Sequence, residues 1–210
     1  MKFLEIGGNR KRGENWVLYN IEARQGGKIH DMTVLPIPDE EDETYDGVFS
    51  EHFLEHISKE DGINFLKEMY RVMKPGAVIR TIWPSMDFVD VMNSNVDMSD
   101  NHFVRKYHNY FIEHGRPQPF DHPYYNSIIT KEELNKMTLQ QRVAFRICHQ
   151  EGEHKHIWYV QELIDALHEV GFVNASSEPY RQSRLVEFNN IDRNDDIRPP
   201  HSGVVEATKP

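Results

Sequence analysis

The stretch from Tyr45 to Pro84 limits what this chain can fold into more than any other part. It reads as a strand, an amphipathic helix, a sharp stop and a second strand. Tyr45–Ser50 (YDGVFS) is a short apolar run that enters a core. Ser58 and Asp61 stand at capping-box spacing, where side chain and backbone donors satisfy each other at a helix start. Ile63, Leu66, Tyr70 and Met73 then recur at helical spacing, and Phe65, Met69 and Val72 widen the stripe. Lys74-Pro75-Gly76 stops the helix, because proline cannot continue the ladder and glycine accepts a left-handed turn. Ala77–Trp83 (AVIRTIW) is the next strand, ended by Pro84-Ser85.

The flanks carry similar signals. Lys2–Gly7 and Trp16–Ile21 read as strands, and Lys28–Asp31 as a short third one. A parallel crossover with a helix usually takes about a dozen residues or more. The gap between the first two strands is shorter, so that connection is a loop or a single turn. Pro38–Glu43 is acidic and turn-rich, a surface loop. Val160, Leu163, Ile164 and Leu167 form another helical stripe closed by Gly171, and Asn174–Pro179 and Gly203–Thr208 are closing strands. The polar segment Asn189–Pro200 reads as a long exposed loop. Residues 86–153 mix aromatic and polar residues (FVRKYHNYF, GRPQPFDHPYY), and Thr130 with Glu133 makes a second capping box. This stretch predicts an inserted cap of two or three helices within one domain over 1–210. The alternation of strands and helices predicts a doubly wound α/β sheet.

Composition excludes some classes. The formal net charge of -10 argues against a general nucleic-acid binder, and the basic run Arg10-Lys11-Arg12 reads as a solvated loop. One cysteine, Cys148, permits no intrachain disulfide. No apolar run approaches the ~20 residues of a membrane span. The start is too soon charged for a signal peptide, so a soluble cytoplasmic protein is expected.

Sheets of this class bind ligands outside the carboxyl ends of their strands. That rule points to the Gly7–Arg12 loop, Asn20–Glu22, Asp31–Met32 and Ser50–His52. Glu5-Ile6-Gly7-Gly8 places a carboxylate in the first strand and two glycines at its end, where backbone can approach a ligand closely. Asn20 or Glu22 can hold ribose hydroxyls, and Asp31 can accept an adenine amino group or simply cap a turn. His52–His56 matches H-x-x-E-H, an inverted zinc-protease pattern with Glu55 as base. Twelve histidines make such a match cheap by chance, and a third ligand at suitable spacing is not evident. No metal is therefore expected. The histidines His149, His154 and His156 read as pocket mouth or surface, and Trp158 as core or pocket wall. The aromatics Tyr107, Tyr110, Phe111, Tyr124 and Tyr125 line an acceptor pocket or pack the insertion.

The string YDGVFSEHFLEHIS…FLKEMYRVMKPGAVIRTIWPS resembles the class I S-adenosylmethionine-dependent methyltransferases. More narrowly, it is similar to the small predicted methyltransferases related to the type 11 family. Those carry a similar strand, an S-E-H-x-L-E-H string, a helix, R-V-L-K-P-G-G and a strand ending near proline. Here the turn is Arg71-Val72-Met73-Lys74-Pro75-Gly76-Ala77, and the tail Gly152–Trp158, Gly171-Phe172 and Ser202–Ala207 also fits. The similarity covers roughly residues 1–85 and 152–209. It implies a Rossmann-like seven-stranded sheet with the last strand antiparallel, and S-adenosylmethionine as cofactor. It implies cofactor contacts at Glu5, Gly7, Gly8, Asp31, Met32, Ser50, Glu51 and His52, and at the end of strand two. Asn20 falls where relatives carry the ribose-binding acid, with Glu22 the nearest substitute. Two features depart from the pattern: the glycine motif is only Glu-Ile-Gly-Gly-Asn, and the first helix is missing. The expected reaction is in-line methyl transfer to a small-molecule or glycan acceptor, with His52 and His154 as candidate bases. The alternatives are a non-catalytic binder of cofactor or partner, and a zinc hydrolase using His52, Glu55 and His56.

Overall fold

A computed structural model describes residues 1–94, 96–98, 100–113, 122–193 and 199–210. The Phe111 ring, the stretch GRPQPFD and residues 194–198 of Asn189–Pro200 lie outside the described residues. The strands are β1 (Phe3–Ile6), β2 (Trp16–Asn20), β3 (Lys28–Ile29), β4 (Tyr45–Glu51), β5 (Met73–Pro84), β6 (Val173–Ser177) and β7 (Ser202–Thr208). They form one sheet in the order β3-β2-β1-β4-β5-β7-β6. Pairs from β3 to β5 are parallel, whereas β7 runs antiparallel to both β5 and β6. This is the class I methyltransferase sheet.

The central block forms as its local signals direct. Ser58 Oγ accepts the Asp61 N–H at 3.1 Å and starts helix α1 (Lys59–Val72). Its stripe of Phe65, Leu66, Met69 and Val72 is fully buried against the sheet. Full burial of one such side chain stabilises the fold by roughly 1.5–3 kcal/mol. The helix passes into β5 without a loop. Met73 already pairs with Tyr45, and an irregularity containing Gly76 (φ +81°) follows before Val78 pairs with Gly47. The strand therefore begins at Met73, not at Ala77. Helix α7 (Val160–Val170) buries Leu163, Ala166 and Leu167 on the same sheet face and ends at Gly171, φ +114°.

The connections 7–15, 21–27 and 30–44 contain no helix, so the first four strands are joined by loops alone. The face opposite α1 and α7 would be bare, yet Phe3, Phe49, Ile82 and Val204 are buried there. They are covered by Phe188, fully buried, with Tyr180, Leu185 and Ile191 packed beside it. Here the structure corrects the exposed loop expected from Asn189 onward. Asp192 is only 2% exposed. It accepts from the Arg80 guanidinium, which also donates to Glu206 at 2.8 Å. Arg80 donates further to the carbonyls of Gln182 (2.8 Å) and Pro179 (3.2 Å), so one buried cation ties the covering segment to the sheet.

The acidic stretch Pro38–Glu43 differs from expectation at one residue. Glu40 turns inward and accepts from Tyr19 (2.6 Å), Tyr45 (2.5 Å) and Lys28 (3.0 Å). Burial alone would raise its carboxyl, but these hydrogen bonds outweigh it and hold the group below its ordinary value.

Among the described residues, 86–149 form five α-helices rather than two or three: α2 (Met86–Asn93), α3 (His102–Glu113), α4 (Pro123–Ile128), α5 (Lys131–Lys136) and α6 (Leu139–His149). Thr130 and Glu133 make the reciprocal capping box at α5, and Thr138 with Gln141 makes another at α6. Val89, Met92, Val104, Val143, Ala144 and Ile147 give these helices an apolar cluster of their own. Among the described residues, no helix is long and apolar enough to cross a membrane.

Candidate active site

The loop after β1 is built around two glycines. Gly7 takes φ +81°, and its N–H donates to the Tyr19 carbonyl at 2.9 Å. A Cβ on Gly8 would lie 2.5 Å from Glu5 Oε1, so only glycine lets this backbone pass over the carboxylate. Glu5 is buried and receives both Nε (2.9 Å) and a terminal nitrogen (3.0 Å) of Arg12. Burial raises the Glu5 carboxyl, and the Arg12 charge offsets only part of that. Arg12 is thus a partner of the first strand, while Arg10 and Lys11 stay exposed as expected.

Asn20 ends β2 and commits its side chain to the loop. Its amide donates to the Gly8 carbonyl at 3.0 Å, and its oxygen accepts the Glu22 N–H at 3.0 Å. Asp31 caps the turn after β3, accepting from the Thr33 N–H (2.9 Å) and hydroxyl (2.8 Å). Those bonds lower its carboxyl below the ordinary range. Met32 beside it is buried.

Gly7, Asn20, Glu22, Asp31, Met32, His52 and His154 line one cavity of about 710 Å3 at the carboxyl ends of β1 to β4. That lies within the ~300–1,000 Å3 of small-molecule sites. Tyr107 and Tyr110 of α3 form part of its wall. Glu5, Gly8 and Glu51 instead line a neighbouring cavity of about 980 Å3, together with Arg10–Arg12. Asn9 and Arg193 border both. Glu51 accepts from the Tyr180 hydroxyl and the Arg193 N–H, each at 3.0 Å, which anchors the covering segment. Ser50 is buried and lines neither space.

His52 adopts φ +54° at the exit of β4. Its Nδ1 lies 3.0 Å from Glu55 Oε1, and its buried Nε2 has no hydrogen-bond partner among the described residues. Glu55 is fully buried. Burial alone would raise its carboxyl, but the hydrogen bond and charge of His52 outweigh it and hold the group at about 2. An ionised carboxylate only accepts, so Nδ1 of His52 carries a proton toward Glu55. His154 is also buried, and burial pushes its imidazole down to about 4. His156 bonds Glu162 at 3.1 Å instead, and His149 meets Tyr124 at 3.1 Å. Trp158 is core: a Cβ on Gly62 of α1 would have to approach its ring to 2.8 Å.

Sequence reasoning missed Arg193 and His201 on the first cavity. His201 is buried 5.5–5.9 Å, ring to ring, from His52, Phe103 and Tyr107. Both lie in a polar stretch with no local pattern. Of the cap aromatics, Tyr124 and Tyr125 pack against His149 and Phe145 rather than the cavity.

Residues 11–81 match the family model described as a methyltransferase domain, type 11. No curated protein matches the chain in sequence. Among solved structures it is similar to a SAM-dependent methyltransferase from Archaeoglobus fulgidus, at 17% identity and a TM-score of 0.52. That match covers 99% of this chain and 86% of the other. It is also similar to the CurJ carbon methyltransferase, with 10% identity, TM-score 0.50 and coverages of 99% and 48%. Human N-acetylserotonin methyltransferase in complex with SAM matches at 10% identity and TM-score 0.45, with coverages of 99% and 47%. The chain spans about half the length of several structures it matches. Residues 11–81 are thus similar to a methyltransferase domain, and the strand order together with the likeness to the Archaeoglobus fulgidus structure shows that the chain has the class I methyltransferase fold.

Proposed function

We propose that this protein transfers the methyl group of S-adenosylmethionine to a small-molecule or glycan acceptor in the 710 Å3 cavity. The observation that carries the reading is the gathering of Gly7, Asn20, Glu22, Asp31 and Met32 around one space at the strand ends. Their chemistry suits the cofactor. Gly7 presents bare backbone, since a Cβ there would crowd Phe53 Cβ at 3.2 Å. Asn20 is committed to the loop, which leaves the exposed Glu22 carboxylate to accept from ribose hydroxyls. The ionised Asp31 can accept from an amino group, beside an apolar wall at Met32.

When bound, the cofactor supplies an electrophilic methyl carbon on a sulfonium, so the protein's work is positioning. Helices α2–α6 serve as a cap, with Tyr107 and Tyr110 facing the acceptor. His52 has the geometry of a general base. Glu55 fixes its Nδ1–H, and the unpartnered Nε2 is left to take the acceptor's proton. His154 is the second candidate and is neutral in its buried position.

Titration calorimetry with S-adenosylmethionine tests this reading. One site with micromolar affinity is expected, and no heat at millimolar cofactor would refute it. A non-catalytic binder, the reading favoured by the short Glu5–Asn9 loop, would bind the cofactor yet transfer methyl to no hydroxylated acceptor.

A further inference from the structure

Three side chains at one end of the cavity form a cluster: Glu55, which also orients His52, the neighbouring His56, and His154, the second candidate base. Glu55, His56 and His154 each offer one ligand atom, and these atoms lie within 4.8 Å of one another. Glu55 and His56 come from the short turn Leu54–His56 after β4. His154 comes from the segment between α6 and α7. Hydrogen bonds from the Lys155 N–H (2.7 Å) and the His156 N–H (3.4 Å) to the Glu55 carbonyl clamp that segment against the turn.

The cluster is prepared for a cation in two further ways. His154 Nδ1 lies 2.6 Å from the Ile147 carbonyl. A carbonyl oxygen only accepts, so Nδ1 holds the proton and Nε2 keeps its lone pair. Imidazole ligands are commonly oriented in this way, by a backbone carbonyl on the far nitrogen. Glu55 is fully buried, and its Oε2 has no hydrogen-bond partner among the described residues. Leaving a buried charged acceptor unsatisfied is unfavourable, and a cation would satisfy it.

We propose that Glu55, His56 and His154 hold a divalent transition-metal ion whose remaining positions open to the cavity and bind an oxygen of the acceptor. Two imidazoles and one carboxylate suit Zn2+ or Fe2+ better than Mg2+ or Ca2+. Three protein ligands with an open position make up the kind of site that polarises an exchangeable oxygen. A tetrahedral ion needs ligand atoms roughly 3.4 Å apart, so the cluster closes by about an ångström on loading. The half-exposed His56 is the side chain freest to move. The acceptor is then a hydroxyl compound. Its O–H bond breaks with the electron pair staying on the metal-bound oxygen, and the proton passes to His52 Nε2. This substrate assignment rests on the methyltransferase reading; the cation site does not.

The full chain, stripped with a chelator that is then removed, is titrated with Zn2+ alone against a competing chromogenic chelator. One ion per chain with submicromolar affinity is expected. His56→Ala and Glu55→Gln should each weaken binding at least tenfold, and exposed His168→Ala should leave it unchanged. His56→Ala is the variant safest for folding, and its metal-free melting temperature should match the wild type. Absence of stoichiometric Zn2+, or equal affinity in His56→Ala, overturns the site. Cofactor calorimetry on the metal-free chain separates the two readings. Cofactor binding without Zn2+ binding overturns the cation site alone, whereas Zn2+ binding without cofactor binding upholds the site and removes its methyltransferase role.

Discussion

Arg80→Ala is expected to lower stability by about 3–5 kcal/mol, the cost of removing one partner from a fully buried ion pair. Arg80, Asp192 and Glu206 are each at most 2% exposed, so water cannot screen the two carboxylates left behind. For a chain of this length about 1 kcal/mol moves the melting temperature by roughly 2–4 °C, giving a fall of about 6–20 °C. The damage should spread to the covering segment. Arg80 also holds the Pro179 and Gln182 carbonyls, and Asp192 accepts the Arg181 N–H at 2.5 Å. The pair Arg80→Met with Asp192→Leu should lose less than the sum of its single changes, because it leaves fewer stranded charges. A melting temperature for Arg80→Ala within 2 °C of the wild type, by circular dichroism, would contradict this account.

Gly8→Val is expected to weaken S-adenosylmethionine binding about 10–100-fold while lowering stability by about 1–3 kcal/mol, the usual range for overpacking. Its Cβ would lie 2.5 Å from Glu5 Oε1 and 3.0 Å from Leu18 Cδ1. Glu5 cannot swing away without leaving Arg12, so the Gly7-Gly8 backbone must move. That backbone forms the cavity wall and is pinned by Asn20. Gly13→Ala is the control. A Cβ there meets only Trp16 Cδ1 at an ordinary 3.8 Å, so affinity and melting temperature should hold. Calorimetry and thermal melts on the three proteins check both effects.

Legibility in the sequence follows the range of the interactions. Ser58, the α1 stripe, Gly171 and the Thr130–Glu133 box act within a turn or two, and each formed as its pattern predicts. The helix-free first connection was legible from length alone. The anchoring of Phe188 and Asp192 on the sheet was not, because it depends on Arg80, about a hundred residues away, and a polar stretch carries no sign of its partner. Arg80 itself was a clue, a lone cation inside AVIRTIW. Glu40 hid in an acidic run for the same reason, since only the fold brings Tyr19, Tyr45 and Lys28 to it. In the candidate site, the strand-end rule pointed to Gly7, Asn20 and Asp31, which the fold gathers around one cavity. It did not separate them from Glu5 and Glu51. Alternation along a strand sends Glu5 to the face of Phe3, and Glu51 to the face of Phe49, both against the covering segment. The nearness of His154 to Glu55 depends on the path of the chain through five helices.

The most direct measurement is a crystal structure grown with S-adenosylhomocysteine. Density is expected in the cavity bounded by Gly7, Asn20, Asp31 and Met32, with the nucleoside end toward Glu22 and Asp31. Density confined to the neighbouring cavity beside Arg10, Lys11 and Arg12, or none at saturating ligand, would contradict it.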